Sequence, residues 1–159
     1  MIEHVLDQLR PHFAQILISA KTADAFLFDG VEVVQDETTG LGPLIGIISA
    51  LKASRHDKNF VQACDIPDTN ITLVKQLLRS VDGYDAATPR NPDGRCEPLF
   101  SVYRKSALEP MEMMLRQGQK SVHKLFGFCK TNFIDINEQG MIVNLNTMAD
   151  YLDYIKADS

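Results

Sequence analysis

Two aspartates, Asp36 and Asp65, each follow a short apolar run that reads as a β-strand, and Ser19 follows a third such run. A carboxylate just past a strand, with no matching cation in the neighbouring sequence, is a candidate ligand for a hard divalent ion. Mg²⁺ takes oxygen ligands and is held by one or two carboxylates together with substrate phosphates. A strand-ending aspartate can also serve as a cap, as Asp65 could for the segment starting at Pro67. The loop Thr39-Gly40-Leu41-Gly42-Pro43-Leu44 precedes a helical pattern. Its glycines permit close backbone approach, and its N–H groups could face an anion or a base edge; an ordinary strand-to-helix turn would read the same. Asn144 and Asn146 alternate with Val143 and Leu145 along an extended stretch. Two carboxamides facing one way suit a polar heterocycle or a phosphate. They could equally satisfy loop backbone ahead of a helix cap at Thr147.

Other residue types carry less. Cys64, Cys96 and Cys129 are odd in number and form no CxxC or His/Cys metal spacing, so they read as reduced structural thiols. His4, His12, His56 and His123 show no mutual spacing for a metal and read as surface or helix-end residues. Met111, Met113, Met114 and Leu115 read as core packing.

The elements that must position the candidates follow from periodicity. Ile2, Val5, Leu6 and Leu9 mark one face of a helix over residues 2–12, closed by Pro11. Strands are predicted at 16–18, 31–35 and 59–64, ending at Ser19, Asp36 and Asp65. Helices are predicted through Leu44, Ile47, Ile48 and Leu51, and around Leu73, Leu77 and Leu78. Repeated strand–helix alternation predicts an α/β fold with a parallel sheet. Right-handed crossovers then place the three strand ends on one edge, where ligands bind in such sheets. Further on, residues 85–89 read as a strand, Asn91-Pro92-Asp93-Gly94 as a turn, and 99–103 as a returning strand. Helices follow at 107–117, stopped by Gly118, and at 122–126; residues 131–136 read as a late strand. A final amphipathic helix carries Met148, Tyr151, Leu152 and Ile155, with Thr147 and Asp150 spaced as a capping box. No linker or repeat is visible, so residues 1–159 are expected to form one domain. A doubly wound sheet begins with a central strand followed by a glycine-rich phosphate loop. Here neither precedes Ile2, so a first strand is expected to be missing.

Composition narrows the function classes. The 159 residues are 45% hydrophobic and 23% charged, the balance of a globular protein. Sixteen Lys and Arg against twenty-one acids, a net charge of −5, leave no basic surplus for nucleic acid. No apolar run is long enough to cross a bilayer, and Glu3, His4 and Asp7 stand where a signal peptide would be apolar. The expected location is the cytoplasm.

Several pieces in order resemble the molybdenum cofactor guanylyltransferase family, the MobA-like nucleotidyltransferases. They are Val34-Gln35-Asp36, Gly42-Pro43-Leu44-Ile45-Gly46-Ile47 with Ala50-Leu51, and Ala63-Cys64-Asp65-Ile66-Pro67. Then come Glu97-Pro98-Leu99-Phe100-Ser101-Val102-Tyr103-Arg104, Gly118 with Ser121, and Asn144-Leu145-Asn146-Thr147. The resemblance spans about nine-tenths of the chain. It implies a Rossmann-like, three-layer αβα fold with a mostly parallel sheet, of the nucleotide-diphospho-sugar transferase type. It also implies transfer of GMP from GTP to molybdopterin with release of pyrophosphate. By that likeness Asp65 is catalytic, holding Mg²⁺ and contacting the nucleotide. Ser19, Asp36, Gly42, Pro43 and Leu44 are nucleotide-binding, and Asn144 and Asn146 line the pterin side. A protein partner delivering or receiving the cofactor is implied as well.

The family usually has asparagine where this chain has Ser19, and often proline where it has Met148. Its opening strand, its loop rich in Gly, Ser and Arg, and its triphosphate lysine have no counterpart here. That absence is read as a shortened gene model of an active protein, a paralogue without catalysis, or a strand supplied by a second copy or partner. The functional alternatives are cytidylyl or other nucleotidyl transfer to a phosphorylated acceptor, and a non-catalytic pterin-binding or partner-binding module.

Overall fold

The computed structural model describes residues 1–38, 40 and 42–157. Thr39 and Leu41 of the glycine-bearing loop lie outside the described residues. The chain opens with α1 (Ile2–Leu9), which buries Val5 and Leu6 and stops ahead of Pro11. Strands β1 (Leu17–Ala20) and β2 (Glu32–Gln35) pair in parallel, Leu17 opposite Glu32 and Ala20 opposite Gln35. Helix α2 (Pro43–Ala53) follows, then β3 (Lys58–Gln62), α3 (Ile71–Ser80), β4 (Ala86–Arg90) and β5 (Phe100–Arg104). The chain finishes with α4 (Leu108–Arg116), a 3₁₀ segment at Val122–Gly127, β6 (Thr131–Asp135) and α5 (Met148–Ala157).

The second sheet has the order β3-β5-β4-β6. Strands β3 and β4 are both antiparallel to β5, and β6 is parallel to β4, so β5 alone is reversed. The Asn91-Pro92-Asp93-Gly94 turn causes that reversal: Asn91 N donates to Arg95 O at 2.8 Å, and Gly94 takes a φ of +84° that favours glycine. Side chains alternate across the sheet. Ala86 and Tyr103 therefore join Leu44, Ile48, Leu51 and Met111 on one face. Their neighbours Ala87 and Val102 join Leu73, Val74 and Leu77 on the other. The two cores sit on opposite faces and give three layers, αβα.

Each buried Leu, Ile or Phe side chain of these cores contributes roughly 1.5–3 kcal/mol. The Tyr103 hydroxyl and the Lys105 ammonium are both paired. Tyr103, fully buried, donates its hydroxyl to Pro98 O at 2.7 Å, and burial pushes its pKa up. Lys105 Nζ caps the end of α2 by donating to Leu51 O and to Ser54 O.

The discontinuity expected between segments 16–18 and 59–64 is present. Strands β1 and β3 belong to separate sheets, and no described residue pairs between them. Their starts nevertheless meet: Arg55 N donates to Gln15 Oε1 at 3.0 Å, and Phe13 stacks on Phe60 with ring centroids 6.0 Å apart.

Two expectations need correction. Asn70, not Asp65, caps α3, its side chain accepting from Leu73 N at 3.0 Å. Residues 122–126 form a 3₁₀ rather than an α-helix. The amphipathic helix α5 forms with its apolar stripe largely uncovered, for Met148 is 72% exposed and the helix has no buried residue.

Candidate functional site

Beyond β3 the chain turns through Asp65 and Pro67 toward α3. Asp65 is half-buried and lines a hollow of about 310 Å³. Cys64, Asn146 and Thr147 share that hollow, and Met148 and Tyr151 enter it from α5. The Asp65 carboxylate has no hydrogen-bond or ion-pair partner among the described residues, and no guanidinium neutralises it. Its backbone is held instead: Leu145 N donates to Asp65 O at 2.8 Å, tying the loop to the 144–146 segment.

Further bonds fix the same turn. Gln8 of α1 donates to Pro67 O at 2.8 Å and accepts from Thr69 N at 2.9 Å. Gln62, the last residue of β3, donates to Ile66 O and accepts from the Thr69 hydroxyl, both at 2.9 Å. Tyr154 of α5 donates its hydroxyl to Asp68 Oδ1 at 2.8 Å. The sequence reading missed Gln8, Gln62, Thr69 and Tyr154, because each works through a partner far away in the chain.

Ser19 and Asp36 form a second group. The parallel register sets their strand ends side by side, and Ser19 Oγ donates to Asp36 Oδ1. Helix α2 lies against this pair through Gly46, where a Cβ would fall 2.6 Å from Ser19 Oγ, so only glycine admits the contact undisturbed. At the start of α2, Gly42 has a φ of +68° and no side chain caps the helix. A helix start leaves its first-turn N–H groups without intrahelical acceptors, and the loop leading into this one includes Thr39 and Leu41, outside the described residues. Leu44 is fully buried, so its backbone rather than its side chain faces any ligand. Among the described residues no hydrogen bond joins the Ser19–Asp36 pair to the Asp65 hollow.

The two asparagines end in different surroundings. Asn146 lines the hollow beside Asp65. Asn144 Nδ2 donates to Glu97 Oε2 at 3.2 Å, and its Oδ1 is buried without a partner. The 141–146 segment pairs with no strand, so simple alternation does not govern it. The spacing of Thr147 and Asp150 does form a capping box: Thr147 N donates to Asp150 Oδ2 at 2.8 Å and Asp150 N to Thr147 Oγ1 at 3.1 Å.

Among the described residues no group of three or more His, Cys, Asp or Glu side chains converges on a metal-sized site. A lone free carboxylate at the rim of a hollow still fits Mg²⁺, which keeps waters and binds one or two carboxylates plus substrate phosphates. Burial raises the pKa of Cys96 and pushes that of Cys129 up to about 12, so neither presents a thiolate at neutral pH. Among the described residues no helix is long and apolar enough to cross a membrane.

Residues 1–131 match the family model described as the MobA-like NTP transferase domain. The chain is 30% identical to a probable molybdenum cofactor guanylyltransferase of Carboxydothermus hydrogenoformans, over 98% of its own length and 82% of that protein's. Its fold superposes on molybdopterin-guanine dinucleotide biosynthesis protein A from Archaeoglobus fulgidus with a TM-score of 0.78 at 21% identity, covering 99% of this chain and 86% of the other. A TM-score of 0.70 at 14% identity relates it to 2-C-methyl-D-erythritol 4-phosphate cytidylyltransferase from Thermus thermophilus, over 99% of this chain and 88% of that one.

Proposed function

This chain belongs to the MobA-like NTP transferase family, and from that premise we propose that it transfers GMP from GTP to molybdopterin and releases pyrophosphate. The observation that carries the reading is Asp65, an unpartnered carboxylate on a firmly bonded turn at the edge of a hollow. In this reading Asp65 holds Mg²⁺. The ion, when bound, neutralises charge on the phosphates. Nucleotidyl transfer needs positioning and charge neutralisation more than covalent catalysis, and the residues here suit that division.

Ser19 and Asp36 offer a hydroxyl and a carboxylate for the nucleoside, with α2 packed against them through Gly46. Asn146, in the same hollow as Asp65, offers both a donor and an acceptor to the heterocyclic edge of the pterin. Asn144, two residues earlier and outside the lining of that hollow, has its carboxamide held by Glu97. Met148 and Tyr151 supply flat or soft apolar surface against which a ring can lie. Molybdopterin would then enter from the α5 side, where a protein partner could hand it over.

The test is pyrophosphate release from GTP and molybdopterin by the wild type and Asp65→Asn. The variant is expected to fold normally and lose turnover by about 10²–10³-fold, the loss of several kcal/mol of charge stabilisation. Wild-type turnover in the variant rejects the metal role. Calorimetry with GTP and CTP, each with and without Mg²⁺, decides the rest. Preference for GTP supports guanylyl transfer and preference for CTP moves the assignment to cytidylyl transfer. Molybdopterin binding without Mg²⁺-dependent affinity for either nucleotide identifies a binding module.

A further inference from the structure

We infer that Gln8 and Gln62 are positioning residues for Asp65, their carboxamides stapling the turn that carries it so that its carboxylate meets a divalent ion in one fixed orientation. The inference rests on the metal reading of Asp65 given above.

Three successive carbonyls of the turn each accept from a different part of the fold. Asp65 O takes Leu145 N at 2.8 Å, Ile66 O takes Gln62 Nε2 at 2.9 Å, and Pro67 O takes Gln8 Nε2 at 2.8 Å. Thr69 completes the set, its N–H donated to Gln8 Oε1 and its hydroxyl to Gln62 Oε1, each at 2.9 Å. Both carboxamides thus use their nitrogen and their oxygen on the same five-residue stretch. The second hydrogen of Gln8 Nε2 also has a partner, His4 O at 3.2 Å.

The two glutamines are themselves fixed. Gln8 rides on a helix anchored by buried Val5 and Leu6, and Gln62 is paired opposite Phe100 in the sheet. Ile66, 1% exposed, already packs the turn into the core, so stability alone does not require five polar bonds here. What the bonds add is direction. They engage the carbonyls of residues 65–67, while the Asp65 side chain has no partner among the described residues. Outer-shell partners of this kind hold a metal ligand in place, and their loss typically costs 10–100-fold in metal affinity or activity.

The test uses the full chain and compares wild type, Gln8→Met, Gln62→Met, the double variant and Asp65→Asn. Methionine keeps the side-chain volume and removes every carboxamide bond. Four quantities are read: thermal melting, exchange of the Thr69 amide hydrogen, Mn²⁺ affinity in the presence of GTP by electron paramagnetic resonance, and kcat against KM. In the double variant Thr69 exchange should accelerate and the Mn²⁺ dissociation constant should rise about 10–100-fold. The kcat should fall more than the KM for GTP changes. Gln8→Glu keeps the acceptor for Thr69 N, loses the donor to Pro67 O, and should fall between wild type and Gln8→Met. Faster Thr69 exchange with unchanged Mn²⁺ affinity overturns the inference, as does unchanged exchange. Should the double variant fail to fold, the single variants and Gln8→Glu carry the same comparison. Wild-type Mn²⁺ affinity in Asp65→Asn overturns the metal reading itself. Loss in Asp65→Asn beside wild-type affinity in the glutamine variants overturns only the positioning role.

Discussion

The Ser19–Asp36 pair stands on a two-stranded sheet in which Ala20 is the one buried residue. Asp65, by contrast, leaves a four-stranded sheet in which Ala86, Ala87, Phe100, Val102 and Tyr103 are all fully buried. Both aspartates end a strand, yet their bonding is inverted. The side chain of Asp36 is engaged by Ser19 Oγ. The carbonyls of Asp65, Ile66 and Pro67 are each engaged, from three different parts of the fold, and the Asp65 carboxylate has no partner among the described residues. An acid already satisfied by a neighbour is suited to orient a ligand group by exchanging one hydrogen bond for another. An unsatisfied acid on a braced backbone is suited to hold a charge.

The difference predicts unequal consequences for the same substitution. Asp65→Ala should lower kcat by about 10²–10³-fold, matching the loss of a charge-holding group. Asp36→Ala should raise the KM for GTP about tenfold and leave kcat nearly unchanged, the value of one charge-assisted hydrogen bond of about 1.5 kcal/mol. Steady-state kinetics of the two variants side by side checks this. Equal losses in kcat would erase the distinction between the two acids.

Much of this contrast was legible in the residues. The apolar runs before Ser19, Asp36 and Asp65 mark strands because a buried strand needs a short continuous apolar stretch. Asn91-Pro92-Asp93-Gly94 announces the one reversed strand, and Gly118 stops α4 with a φ of +75°. The staples were not legible. Gln8 is 59 residues from Pro67 and 61 from Thr69 in the chain, and on a helix its carboxamide resembles any solvent-facing polar group. The exposure of the α5 face was not legible for a related reason. A helical period shows that an apolar stripe exists and carries no information on whether another element covers it; Met148 and Leu152 remain 72% and 49% exposed. Asn144 and Asn146 were read as a pair from alternation, a rule that holds for a paired strand and not for this unpaired segment.

A smaller perturbation tests whether the Ser19–Asp36 bond itself matters. In Gly46→Ala the new Cβ would lie 2.6 Å from Ser19 Oγ but 3.5 Å from Ser19 Cβ. The hydroxyl is the tip of an exposed side chain and can rotate away, which breaks its bond to Asp36. Alanine also favours the helix by about 1 kcal/mol over glycine. The expected result is a melting temperature within about 3 °C of wild type and a two- to threefold rise in the KM for GTP, worth about 0.5 kcal/mol. A fall of more than about 8 °C would mean that α2 had moved bodily off β1, making Gly46 a packing residue instead.

The smallest effect concerns the part of the Asp65 hollow lined by Asn146 and Thr147, where a titrating cap replaces the amide staples. The Asp150 carboxylate accepts from the backbone N–H groups of Thr147 and Asn146, and hydrogen bonding with the Thr147 side chain first, then with these N–H groups, holds its pKa below the usual 3.8. A carboxyl depressed in the folded state stabilises above its unfolded pKa, and that contribution disappears as the pH falls through the folded value. The window is therefore on the acid side of about pH 4. Nothing in the Gln8 and Gln62 staples titrates there. Lowering the pH from 5 to 3 should reduce the protection factors of the Asn146 and Thr147 amides while the Thr69 amide keeps its own. The carboxyl resonance of Asp150 should titrate below the ordinary value. Asp150→Asn removes the charge, so in that variant the Asn146 and Thr147 protection should already be low at pH 5 and no longer follow pH. Simultaneous loss at Thr69 would show that the two regions open as one unit, and the contrast between a braced side and a capped side would then belong to the static fold alone.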